Sequence, residues 1–104
     1  MLIAPNQLKN LVLKQGEAVL GHLHVTTLDF PWVYCTFAPT PDFDSLRPLF
    51  ERELHLSENE DWDALEKIDE DIAALRLELT DPTTGAQILD FLIHFDEGTA
   101  WFRY

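Results

Sequence analysis

The sequence predicts an α+β domain: a five- or six-stranded, mostly antiparallel sheet with two helices inserted mid-chain and packed on one face. Three observations predict it. Runs rich in β-branched and aromatic residues occupy both ends of the chain and are separated by short turns, as in antiparallel pairs. Between them, residues 43–72 carry apolar side chains at helical spacing. At 104 residues and 46 % hydrophobic content, the chain has the size and composition of one domain, residues 1–104, with its own core.

The first element is a hairpin. Leu11-Val12-Leu13-Lys14 and Glu17–Val25 are β-favouring runs, and Gln15-Gly16 reads as their connection. In the second run His22 and His24 fall on one face, Leu23 and Val25 on the other. Asp29-Phe30-Pro31 makes a turn, and Trp32–Phe37 follows as a strand whose continuous apolarity suits a central position.

Pro39-Thr40-Pro41-Asp42 ends that strand. Thr40 as cap and Pro41 at the first helical position suit a helix start. Phe43, Leu46, Leu49, Phe50 and Leu54 keep helical spacing, but Pro48 lacks a backbone donor. The expectation is a kink, or a short turn followed by a helix beginning near Arg47. Ser57-Glu58-Asn59-Glu60 matches a capping box, which predicts a second helix over Glu58–Ala74. Its core stripe would be Trp62, Leu65, Ile68 and Ile72, with the Trp62 ring fully packed.

Leu75–Thr80 alternates, so Leu75, Leu77 and Leu79 should face the core. Asp81–Gly85 is a turn, Gln87–Phe95 one strand, and Thr99–Tyr104 the last strand. A two-residue turn at Glu97-Gly98 pairs Phe95 with Ala100, Ile93 with Phe102 and Phe91 with Tyr104, and sets His94 opposite Trp101 and Leu92 opposite Arg103. A three-residue loop would slip the register and place Arg103 among apolar positions, where its charge would need a partner. The two-residue register is therefore preferred. It makes the His94/Trp101 face amphipathic and a candidate homodimer or partner contact.

Charge bounds the function. The net charge of −12 argues against direct binding to nucleic acid or to anionic membranes and permits a basic protein partner. Residues 51–71 hold ten acids against only Arg52 and Lys67, a local charge of −8. The helix dipole favours Glu58, Glu60 and Asp61 but opposes Asp69, Glu70 and Asp71. Glu60, Asp63, Glu66 and Glu70, with Trp101 and Arg103 on the final strand, are the candidate partner-binding residues. Two other readings use the same features. Rows of carboxylates could imitate nucleic acid, and His22, His24 and His94, with Asp90 nearby, could ligate a metal or frame a small ligand.

Catalytic signatures are missing. Ser45 and Ser57 read as helix-start residues, no Gly-rich phosphate loop occurs, and no base lies near Cys35 in sequence. Cys35 can form no internal disulfide and reads as buried packing in a reducing compartment. No catalytic residue and no cofactor are expected. Residues 1–6 lack the basic and apolar regions of a secretory signal, so the chain is expected in the cytoplasm.

Phe30-Pro31-Trp32, Pro48-Leu49-Phe50, Asp90-Phe91-Leu92-Ile93-His94 and Ala100-Trp101-Phe102-Arg103 together resemble a layout seen in small, uncharacterised bacterial single-domain proteins. The resemblance covers about residues 28–104 and leaves out the N-terminal hairpin. It implies a bacterial, intracellular, stand-alone domain and carries over no catalytic or binding residue.

Overall fold

A computed structural model describes residues 7–104; the N-terminal segment read for a secretory signal lies outside them. The chain runs β1 (Asn10–Gln15), β2 (Ala18–Asp29), β3 (Trp32–Pro39), a 3-10 turn (Pro41–Ser45), α1 (Arg47–Glu58), α2 (Trp62–Ala74), β4 (Glu78–Thr80), β5 (Gln87–Ile88), β6 (Leu92–Asp96) and β7 (Thr99–Arg103). The class is α+β, but the strands among the described residues number seven, in one antiparallel sheet of order β5-β4-β1-β2-β3-β7-β6.

The extra strand comes from a break. Gln87–Phe95 is not one strand: Leu89-Asp90-Phe91 interrupts it, and its halves lie on opposite edges of the sheet. Six strand spacings of a flat sheet would separate those edges by about 29 Å. Four Cα steps span at most about 14 Å. The sheet therefore curls until its edges approach.

The concave side is filled by Leu11, Leu13, Leu23, Cys35, Ile93 and Phe102, all buried. Phe43 from the 3-10 turn lies 5.0 Å from both Phe37 and Phe95, and Phe50 from α1 lies 4.8 Å from Phe95, ring centre to ring centre. The helical insertion thus plugs the sheet beside β6, and α2 packs on α1.

The Pro48 conflict resolves as a short 3-10 turn followed by α1 from Arg47. Pro48 sits in the first turn of α1, where a missing N–H leaves no broken bond. Thr40 occupies the cap position without capping; its hydroxyl donates to the Val19 carbonyl at 2.6 Å.

The second helix begins later than its capping box predicts. α1 continues through Ser57, and Glu60 turns the chain with φ 53°. Asp61 is the working cap of α2, its Oδ1 accepting from the Ala64 N–H at 3.3 Å. Ile68 is buried and Ile72 packs against the core, but Trp62 is 60 % exposed. At 3.6 residues per turn, six residues carry Trp62 about 120° away from Ile68 around the helix.

β4 is shorter than the Leu75–Thr80 run, because Leu75 caps α2 and Arg76 turns with φ 54°. Leu77 and Leu79 are buried and Leu75 packs beside them. In the first hairpin Gln15 pairs with Ala18, so the connection is Gly16-Glu17, one residue later than Gln15-Gly16. The last hairpin has the two-residue register: Leu92, Ile93, His94, Phe95 and Asp96 face Arg103, Phe102, Trp101, Ala100 and Thr99. Phe91 lies outside β6 and Tyr104 outside β7, so their expected pair is not formed as a ladder pair.

Candidate functional site

α1 buries Phe50, Glu53 and Leu56 at steps of three residues. Glu53 therefore stands on the apolar stripe of the helix, next to the β6 edge. It is 2 % exposed and is the one buried charged side chain among the described residues. A buried carboxylate needs a partner. His94 of β6 supplies it, with Nδ1 2.8 Å from Glu53 Oε1 and 2.9 Å from Oε2. With its proton on Nδ1 the imidazole donates to the carboxylate, and Nε2 remains an acceptor.

Two indoles fix the imidazole. Trp32 and Trp101 lie 5.6 and 5.5 Å from the His94 ring, and the Arg103 guanidinium lies 5.4 Å from the Trp32 ring centre. Register explains the row: Tyr34 pairs with Trp101 and Trp101 with His94, so all three share the sheet's outer face.

Behind this row is a cleft of about 320 Å³ where α1, α2 and the edge-to-edge crossing meet. Ile72, Ala73, Leu77, Leu89, Phe91 and Leu92 supply most of its wall. Glu53, Asp69 and Asp90 bring carboxylates to it, and Arg76 one cation. The Asp69 carboxyl lies above its ordinary range. Desolvation is the main cause, the Glu53 charge adds to it, and His94 opposes it.

A shallow groove lies on the outside of α2, lined by Trp62, Leu65, Glu66, Asp69, Glu70 and Ala73. Asp69 and Ala73 border both depressions, so groove and cleft adjoin. The groove brings Glu66 and Glu70 together with Trp62. Asp63 is exposed in the first turn of α2, and Glu60 is exposed in the turn before it. Among the described residues Lys67 and Asp71 form the one ion pair on α2, at 2.6 Å. Trp101 and Arg103 lie instead on β7, in the His94 row.

The three histidines are not brought together. His22 and His24 are exposed on β2, three strands from His94, a separation on the order of 14 Å. His24 Nδ1 faces Asn10 Oδ1 at 2.8 Å, and His94 Nδ1 is taken by Glu53. No group of three or more His, Cys, Asp or Glu able to hold a metal occurs among the described residues. The metal expectation thus loses its geometry.

Burial pushes the Cys35 thiol up to about 12, and Cys35 points to the core face. The Glu53–His94 couple therefore has no thiol to activate, and His94 has no hydrogen-bonded serine among the described residues. Glu53 and Asp69 were two acids among ten in sequence. The signal that singles out Glu53 is its place three residues after Phe50 on the apolar stripe.

No family model matches the chain, and no curated protein or solved structure matches it. No helix among the described residues is long and apolar enough to cross a membrane.

Proposed function

We propose that this protein is a binding module for a basic protein segment, acting as an adaptor, an inhibitor or an immunity-type neutralising protein. One observation carries the reading: Trp62 stands 60 % exposed on a helix face shared with Glu66, Asp69 and Glu70. A ring left 60 % in water forgoes much of the stabilisation that its burial would give. Tryptophan is among the residues enriched at interface hot spots, and carboxylates around it select a cationic partner. The surrounding charge of −8 in residues 51–71 steers such a partner from a distance. A cytoplasmic setting for it is part of the same proposal, resting on the sequence resemblance alone.

The test compares retention of partners from the native cell on immobilised wild type, Trp62→Ala, and a Glu66→Lys/Glu70→Lys double variant. Because Trp62 is exposed, Trp62→Ala should alter stability by less than about 1 kcal/mol, checked by denaturant unfolding. A specific partner is retained by wild type, lost from both variants, and released as salt rises well above physiological strength, where screening lengths fall below about 8 Å. Equal retention on all three proteins, or retention indifferent to salt, refutes the proposal.

A further inference from the structure

We infer that the cleft between α1, α2 and the Leu89–Phe91 crossing receives a single lysine or arginine side chain of the basic partner, its stem against the apolar wall and its charged head toward Asp69, Asp90 and Glu53. The inference rests on the reading of the Trp62 face as a docking surface and names the anchor beside it.

Shape limits the occupant. A space of about 320 Å³ lies at the lower end of the roughly 300–1,000 Å³ typical of ligand sites. It is too small for a helix, whose diameter is about 10 Å. It suits one long side chain. The walls are apolar for most of their extent, with Ile72 and Phe91 half-buried and Leu89 67 % exposed at the lip. An aliphatic stem would cover them, as lysine and arginine stems do on apolar surfaces.

Charge selects the head group. Glu53 and Asp69 lie near enough for the Glu53 charge to act on the Asp69 carboxyl, and His94 acts on both. Asp90 adds a third carboxylate from the crossing, and Arg76, just after α2, is the one permanent cation lining the cleft among the described residues. No ion pair within 4.0 Å engages Arg76 among the described residues. A second cation between the carboxylates relieves their repulsion. Arg76 competes with it.

Continuity places the cleft on the same partner. Asp69 and Ala73 border both cleft and groove, so a segment packed on Trp62 passes the cleft mouth.

The direct test uses n-butylammonium, the end of a lysine side chain, with 1-butanol as its neutral counterpart. Both are titrated into the full chain and followed by backbone amide shifts. The expected result is saturable shifts at Ile72, Ala73 and Asp90–Ile93 with the cation and much smaller ones with the alcohol. Asp69→Asn and Asp90→Asn should each weaken binding by roughly two- to fivefold, the range of a partly exposed charge pair, and Arg76→Gln should tighten it by a similar factor. Equal shifts with the alcohol, non-saturating shifts over all surface carboxylates, or indifference to Asp90→Asn overturn the inference. Partner retention separates the two proposals. If it needs Trp62 but not Asp90, the cleft assignment falls alone. If the butylammonium results hold while retention ignores Trp62, the docking surface falls and the cleft remains a cation site without its proposed occupant, which overturns the anchor role.

Discussion

At the scale of single residues the chemistry gathers around Glu53. Its burial commits His94 to it, the His94 ring lies tilted against Trp32 and Trp101, and at Asp69 the Glu53 charge adds to desolvation. The effect on Asp69 has a sign that can be measured. The Asp69 carboxyl is raised above its ordinary 3.8, chiefly by desolvation and then by Glu53. A raised acid binds its proton more tightly in the fold than in the unfolded chain. Its stabilising contribution is therefore present at low pH and lost as pH rises through the raised value. Asp69→Asn removes the charged form, so the variant should melt above wild type at pH 7, and the gap should close below the ordinary 3.8. Thermal melts across pH 3–8 read this out. A gap of constant size would attribute the effect to helix propensity instead of charge.

At the scale of elements, what could be read from sequence was whatever depends on neighbours in the chain. Glu97-Gly98 sets the last hairpin because a two-residue turn needs positive φ, and the two residues have φ 43° and 79°. Pro48 fixes the start of α1 for a similarly local reason. The failures are non-local. Ser57-x-x-Glu60 is a valid cap signal, but α1 continues through Ser57 and Asp61 caps α2 instead. Leu89–Phe91 continues a strand pattern, yet the curl of the sheet requires a crossing there. The Glu53–His94 contact spans 41 residues: the apolar stripe of α1 turns Glu53 inward, but no local pattern names His94 as its partner. Gly21 shows the same dependence. It lies inside β2, where glycine is a poor strand former, and the reason is across the sheet. A Cβ there would sit 2.4 Å from Phe37 Cε1 and 2.6 Å from Cζ. The Phe37 ring cannot swing aside, because Phe43 and Phe95 hold it at 5.0 and 4.7 Å. Gly21→Ala should cost about 1–3 kcal/mol as overpacking. In a Phe37→Leu background, denaturant midpoints should show most of that cost gone; an undiminished cost would mean that backbone, not the ring, sets the requirement.

At the scale of the whole molecule, the dominant fact is charge of one sign. Against the net −12, the described residues hold two ion pairs between Lys or Arg and Asp, Arg47–Asp44 and Lys67–Asp71, and both are exposed. Exposed pairs contribute about 0–1 kcal/mol each, so salt has little attraction to weaken at the surface. It has more repulsion to screen, because ten carboxylates are crowded into residues 51–71 against two cations. The Glu53–His94 hydrogen bond is buried and lies outside this surface balance. Added sodium chloride should therefore raise the melting temperature from low ionic strength to about 0.5 M, where the screening length is only a few ångströms. Glu66→Lys should raise it at low salt too, with a gain that shrinks as salt is added, since the variant has already relieved part of the same repulsion. The two responses separate electrostatics from general salting-out, which would stabilise wild type and variant alike. A melting temperature that falls with salt would mean that attractive pairs outweigh repulsion on this surface. The acidic face would then belong to the stability of the fold, and the case for its being held open for a basic partner would lose its physical ground.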